Sequence, residues 1–291
     1  MKSQILKVYA YAFGKFKKIG AGKIPFLRNA HGVISKHLRA KQVTVHGHKM
    51  FLDAGDSLNL SFDENFEPVE TAFIKTQIKE GDTVLDIGAN VGYFTLKFAR
   101  LVGPTGRVYA FEPDPTNFAI LQKNIAANGY TNVVLENKAV SNVSGPIQLY
   151  LSDNAADHRI YDSKEATVRQ TIPIDAVRLD DYFRDRSEKI DFIKIDTQGA
   201  DYAVVKGASR LLNVNRHIKI TSEFWPYGLE KMGIPPRAFV SLLRNQGFQV
   251  YDLSAQDIGA PADAFKPVIA DNLLKAYTPE CGVSTVLYAK R

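Results

Sequence analysis

The sequence predicts an α/β fold, a sheet of parallel strands joined by helices, and three observations lead there. The stretch Gly81–Val102, GDTVLDIGANVGYFTLKFARLV, sets a short apolar run (Val84, Leu85, Ile87) before a small-residue bend. A helical repeat then begins, because Val91, Phe94, Phe98 and Leu101 recur three and four apart. One unit later the alternating run Arg107–Phe111 leads into Asp114-Pro115, an N-cap followed by proline at the first helical position. Apolar strand patterns and helical patterns then keep alternating to the end of the chain.

The N-terminus reads differently. No Asp or Glu precedes Asp53, so the first 52 of the 291 residues carry +11 and the remainder −5. This divides the chain into a basic amphipathic extension, residues 1–52, and a larger domain, residues 53–291. Ile5, Val8 or Tyr9, Ala12, Phe16 and Ile19 share one face of a helix over Met1–Lys18. Such a helix either packs that face on the domain, the favoured reading, or lies at an anionic membrane through residues 1–41. Gly20–Lys41 is a connector. Gln42–Leu52 alternates and predicts a hairpin turning near His46-Gly47-His48; two histidines at a turn without a cysteine or carboxylate partner read as a solvated turn, not a metal site. Pro68–Lys79 is a helix with Glu67 and Glu70 near its positive end.

The bend after the first core strand indicates the ligand class. A dinucleotide site wants G-x-G-x-x-G so that backbone amides close on a pyrophosphate. Here Gly88 and Gly92 stand with Asn90 in the middle position and no third glycine, and Asp86 precedes them. That carboxylate repels phosphate and suits a ligand with cationic groups, such as the ammonium and sulfonium of S-adenosylmethionine. Glu112 ends the next strand, roughly 20 residues past the bend, where a carboxylate accepts hydrogen bonds from ribose hydroxyls.

Thr116–Asn128 follows as a helix closed by Gly129, then a strand over Asn132–Leu135. Ile147–Leu151 and Val168–Ile174 alternate as strands around a polar loop, Ser152–Glu165, which departs from simple strand–helix alternation and lies over the strands' carboxyl ends. His158 in that loop is either solvent-facing or a base or acceptor anchor. Arg159 beside it either grips an anion or pairs with a local acid. Leu179 opens a short helix. The strand Ile190–Ile195 ends in Asp196-Thr197-Gln198-Gly199, with Lys194 needing a partner inside an apolar run. Tyr202–Leu212 is a helix, Ile218–Thr221 a strand bringing Glu223 to the same edge, and Pro235 or Pro236 opens a helix to Asn245. Phe248–Leu253 is a further strand, Ser254–Pro279 is irregular, and Ser284–Ala289 is the terminal strand.

VLDIGANVGYF, YAFEPDPTNFAILQKNIAANG, NKAVSN and DFIKIDTQGADYAVVKGA, in that order, resemble the FkbM-type S-adenosylmethionine-dependent methyltransferases from about Asp82 onward. The resemblance implies a Rossmann-like class I methyltransferase sheet, mostly parallel with the last strand antiparallel and helices on both faces. It implies S-adenosylmethionine contacts at Asp86, Gly88, Asn90, Gly92, Tyr93, Phe94, Glu112, Pro113 and Asn117. It further implies backbone contacts to adenine around Ala139 and Val140, and Asp196 facing both donor and acceptor. Glu70 or Thr71 on the lead-in helix would border the donor. The implied reaction is O-methylation of a hydroxyl on a glycan, glycoconjugate or secondary metabolite, with Asp196, His158 and Glu223 as candidate bases. Many relatives have Val-Glu-Gly where Thr197-Gln198-Gly199 stands, a lost carboxylate that counts against a metal.

Bulk properties limit the alternatives. The one cysteine, Cys281, excludes an internal disulfide and is poor material for a zinc site. No apolar run approaches roughly 18 residues, so a cytoplasmic protein is expected, peripheral to the membrane at most. RNA or protein methylation, suggested by the basic N-terminus, is opposed by Asp196-Thr197-Gln198-Gly199, where nucleic-acid amino-methylases carry Asn/Asp-Pro-Pro-aromatic. A nicotinamide oxidoreductase lacks its third glycine. A non-catalytic nucleotide-binding scaffold stays open at this stage.

Overall fold

The computed structural model describes residues 39–164, 168–253, 268, 270–282 and 284–291. The helix expected over Met1–Lys18, the proposed membrane contact up to residue 38 and the stretch 254–267 lie outside them. The chain forms two compact units that divide between Phe66 and Glu67.

In the first unit, β1 (Gln42–Val45) and β2 (His48–Phe51) pair antiparallel as the expected hairpin. Both turn residues, His46 and Gly47, have positive φ (47° and 82°), as a tight two-residue hairpin requires. His48 is buried rather than solvated, because strand alternation sends it to the same face as Val45 and Met50.

The second unit is built on a seven-stranded sheet. Its strands are β3 (Thr83–Ile87), β4 (Arg107–Phe111), β5 (Val133–Glu136), β9 (Phe192–Ile195), β10 (Lys219–Phe224), β11 (Gln249–Asp252) and β12 (Thr285–Lys290). They lie in the order β11-β12-β10-β9-β3-β4-β5, and only β12 runs antiparallel to its neighbours. The expected mostly parallel sheet with a reversed last strand is therefore present. After α1 (Pro68–Gln77) the chain enters mid-sheet at β3 and moves outward through α2 (Tyr93–Leu101) and α3 (Pro115–Ala127). It returns through α4 (Leu179–Tyr182) to β9 and moves the other way through α5 (Asp201–Gly207) and α6 (Ser209–Val214). Crossovers of one hand in opposite directions put helices on opposite faces, and leave a crevice at the carboxyl ends of β3 and β9.

Leu85, Ile87, Phe111, Ile193, Ile195 and Ile220 from the strands pack with Val204, Val205 and Leu243 in one core. Each such side chain contributes about 1.5–3 kcal/mol through burial. A second sheet, in the order β6-β8-β7, joins β6 (Ala139–Val140), β7 (Gly145–Ser152) and β8 (Val168–Val177). Its β7–β8 hairpin carries the polar loop.

Three local expectations change. The single helix Tyr202–Leu212 is two, meeting at Ala208, where a Cβ on Gly207 would lie 2.1 Å from the Ser141 carbonyl oxygen. The strand ending at Thr221 runs on to Phe224, so Glu223 sits within β10, followed by α7 (Pro226–Lys231). In the stretch expected to be irregular, Ala270–Ala276 is helical.

Candidate active site

The crevice holds two clusters that meet at one backbone contact. A Cβ on Gly88 would sit 1.9 Å from the Asp196 carbonyl oxygen, and Gly88 has φ 83°, so only glycine lets the β3 bend close on the end of β9. The bend is fastened to β4 as well, the Gly88 and Ala89 N–H groups each donating to Phe111 O at 3.0 Å.

On the β3–β4 side, Asp86 is 1% exposed; its Oδ2 accepts the Thr95 hydroxyl at 2.5 Å, and its Oδ1 has no hydrogen-bond partner. Burial pushes this carboxyl up to about 6, against the pull of Lys194. Asn90 takes the left-handed conformation (φ 51°), its N–H donating to Glu112 Oε2 at 2.8 Å. Glu112 Oε1 accepts the Asp114 N–H at 2.9 Å, and burial carries the Glu112 carboxyl to about 8 despite these two donors. Asp114 caps α3 through the Asn117 N–H, at 2.7 Å. Gly92 has φ 94° and faces Leu121. Tyr93 and Phe94 open α2 as buried residues, and the Pro113 oxygen accepts from Asn137 Nδ2 at 3.1 Å. Ala139 and Val140 form β6, paired in parallel with β8.

On the β9–β10 side is a small cavity of ≈ 100 Å³ lined by Glu67, Glu70, Lys194–Asp196, Glu223 and Ser284–Val286. The reversed direction of β12 brings its first residues to this edge. Lys194 is 2% exposed; its Nζ lies 3.0 Å from Asp196 Oδ2 and 4.5 Å from the Phe94 ring centroid. Burial opposes its charge, but Asp196 and the carboxylates beyond it prevail, and the ammonium is held well above its ordinary value. Burial carries Glu223 to about 8 and Glu67 to about 9. Behind them Asp201, bonded to Ser222 and Thr197, is raised by burial to about 7.

The loop between β7 and β8 lies against both clusters. Asn117 Nδ2 at 2.9 Å and Asn90 Nδ2 at 3.3 Å donate to one acceptor, the Ala155 carbonyl oxygen. Tyr161 donates its hydroxyl to Gln198 O at 2.8 Å, and the Arg159 guanidinium lies 4.9 Å from the Trp225 ring. His158 Nδ1 accepts the Ser152 N–H at 3.0 Å, leaving Nε2 3.9 Å from Asp114 Oδ2. Of the three candidate bases, Asp196 and Glu223 line the cavity and His158 does not; it stands at the Glu112–Asp114 side.

Glu67 and Ser284 were not among the site residues expected from sequence. Glu67 reads as a residue at a helix start, and only the structure shows it in the left-handed conformation (φ 45°, ψ 65°), rare for a non-glycine residue. Ser284 is visible only as the residue before a strand, and its placement depends on that strand's direction.

The observation that tests a methyl donor here is Asp86 Oδ1, a buried carboxyl oxygen awaiting a donor at the bend where a cationic ligand group would enter. Glu112 carries free lone pairs on both oxygens beyond the two N–H bonds it accepts. The residues fit S-adenosylmethionine.

Comparison with protein families and curated proteins agrees. A family model described as Methyltransferase FkbM domain matches residues 86–250. The 2-O-methyltransferase NoeI of Sinorhizobium fredii is 29% identical over 181 residues, covering 57% of this chain and 72% of that protein. The 31-O-demethyl-FK506 methyltransferase FkbM of Streptomyces tacrolimicus is 50% identical over 48 residues, 16% of this chain and 18% of its own. A crystal structure of methyltransferase FkbM from Methylobacillus flagellatus superposes with a TM-score of 0.43 at 15% identity, over 80% of this chain and 52% of that one.

Proposed function

Because the chain belongs to the FkbM methyltransferase family, with S-adenosylmethionine as its methyl donor, we propose that it methylates a hydroxyl group of a glycan, glycoconjugate or secondary metabolite. The buried, unpaired Oδ1 of Asp86 carries the donor half of this reading. Relatives named as O-methyltransferases support the hydroxyl acceptor.

In this reading Asp86, Gly88, Asn90, Gly92, Tyr93 and Phe94 hold the amino-acid end of the donor. Glu112, Pro113 and Asn117 take the ribose, and the backbone around Ala139 and Val140 takes the adenine. When bound, S-adenosylmethionine supplies a methyl group on a cationic sulfur. What remains for the protein is to place the acceptor oxygen in line, keep water out and receive a proton.

Asp196 is the group we assign to the proton. It borders both clusters, its side chain is 24% exposed, and its Oδ2 accepts from Lys194 Nζ at 3.0 Å, which leaves further lone pairs on the carboxyl for the acceptor hydroxyl. Glu223, raised to about 8, holds its own proton at neutral pH and orients the acceptor instead. His158 belongs to the donor side: its Nδ1 accepts the Ser152 N–H and its Nε2 lies 3.9 Å from Asp114, within the loop whose Ala155 carbonyl oxygen ties Asn90 to Asn117.

Among the described residues no helix is long and apolar enough to cross a membrane. The test of function is calorimetry with S-adenosylmethionine and NAD, followed by transfer of a labelled methyl group to a panel of sugar and polyketide hydroxyls. Micromolar binding of the first and none of the second is expected; binding of NAD alone would sink the reading.

A further inference from the structure

The cavity over β9 and β10 gathers more carboxyl groups than methyl transfer requires. Four carboxyl groups, Glu67, Glu70, Asp196 and Glu223, line it against the single cation Lys194, whose Nζ is already committed to Asp196 at 3.0 Å. Glu67 is hydrogen-bonded to Glu70 and Glu223 to Ser284, but one oxygen of each, Glu67 Oε2 and Glu223 Oε2, is shut off from solvent and has no hydrogen-bond partner. A buried polar atom in that state costs about 1–3 kcal/mol until something donates to it. Glu67 is also held in place by a left-handed backbone (φ 45°, ψ 65°), which costs a non-glycine residue on the order of 1 kcal/mol or more. Two separate elements, the N-cap of the helix Pro68–Gln77 and the end of β10, thus each present an orphaned acidic oxygen to one small space.

A ligand's charge decides which chemistry satisfies this arrangement. A hydroxyl offers one hydrogen, enough for one of the two oxygens. An ammonium offers three hydrogens, enough for both oxygens and one neighbour, and a positive charge beside the carboxyl groups. An ionised phosphate or carboxylate has no hydrogen to give to either oxygen.

We infer that Glu67 and Glu223 form an ammonium-binding subsite within the acceptor cavity, so that the acceptor is a hydroxyl compound bearing an amine, an amino sugar or amino alcohol. An acceptor that brings only anionic groups to this wall leaves both oxygens without a donor. The inference rests on the methyl-transfer reading for calling this ligand the acceptor. Protonation supports it: burial raises Glu67 to about 9 and Glu223 to about 8, so at neutral pH each holds a proton, and an arriving cation displaces one of the two. The charged and titratable groups facing them are Glu70, Lys194, Asp196 and Asp201.

The experiment is titration calorimetry on the full chain saturated with S-adenosylhomocysteine, at pH 7 in two buffers of different ionisation enthalpy. The probes are glucosamine against glucose, 2-aminoethanol against ethylene glycol, and glucose 6-phosphate. The amines should bind about tenfold or more tighter than their matching alcohols, close to 1.4 kcal/mol, with release of about one proton each. Glu67→Gln and Glu223→Gln should each remove most of that preference while leaving the affinity for S-adenosylhomocysteine within about twofold, which also reports that the variants are folded. Alcohols binding as tightly as amines, tightest binding by glucose 6-phosphate, amine binding without proton release, or no amine binding at all would overturn the subsite and leave methyl transfer standing. Failure of the wild-type chain to bind S-adenosylhomocysteine would instead overturn the functional reading, and the acceptor role with it.

Discussion

Lys194 Nζ lies 3.0 Å from Asp196 Oδ2, and this ion pair is the only positive charge among the residues lining the acidic cavity. Removing the ammonium would leave Asp196 unpaired beside Asp86, Glu67 and Glu70, which all feel its field. Breaking one side of a buried pair costs about 3–5 kcal/mol. Lys194→Met is expected to lower the stability by that order in urea denaturation. A loss under about 1 kcal/mol would show that the pair is not needed to hold the carboxylates together.

Asp86→Asn keeps the shape of the donor pocket and removes its charge. Affinity for S-adenosylmethionine should fall about 10- to 100-fold, equivalent to roughly 1.4–2.7 kcal/mol, as read by calorimetry. An unchanged dissociation constant would mean that the cation is recognised elsewhere.

The same carboxyl gives a pH signature. A cationic ligand favours ionised Asp86, and the folded group titrates at about 6. Donor affinity should therefore be level above that pH and decline below it. Asp86→Asn should flatten the profile.

Stability has the opposite pH dependence. Asp86, Asp201, Glu112, Glu223 and Glu67 are raised from ordinary values of 3.8 or 4.5 to between about 6 and about 9. Across that window the folded chain holds protons the unfolded chain has released. The stabilisation is complete below the unfolded values and is lost as pH rises through the folded ones. The urea midpoint should fall from pH 5 to pH 9, by at least about 1 kcal/mol in stability. A rising midpoint would contradict the burial of these groups.

Gly88→Ala puts a Cβ where the Asp196 carbonyl oxygen already stands, at a φ of 83°. Backbone, unlike a side-chain tip, cannot swing aside. A loss of about 2–4 kcal/mol is expected, together with weakened donor binding because the bend itself moves. Gly129→Ala, with φ 71° and nothing within 4 Å, should cost only the backbone strain, on the order of 1 kcal/mol.

What could be read from the sequence was chemistry that acts over a few residues. Asp114-Pro115 announces a helix start, and the apolar run before Gly88 announces a strand and bend, because cap, ring constraint and periodicity all lie within one turn of chain. Lys194 was legible as a residue needing a partner, and Asp196 two positions on supplies it. Long-range geometry was not legible. The break at Ala208 follows from the close approach of Gly207 to Ser141, 66 positions away. The place of His158 depends on how the β7–β8 hairpin folds its loop back, with Tyr150 bridging to Arg159. Glu67 reads in sequence only as a negative charge at a helix start, because nothing in the letters Glu-Pro signals a left-handed backbone.

The reversed β12 has a consequence for how this chain could change over evolutionary time. Because its opening residues and the start of the helix Pro68–Gln77 supply walls of the acidic cavity, Glu67, Glu70 and Ser284–Val286 fall outside the 86–250 span shared with the family. The residues proposed to hold the donor, by contrast, sit wholly inside that span. Exchanging the two flanking segments would therefore reshape one wall of the cavity and leave every residue proposed to hold the donor in place.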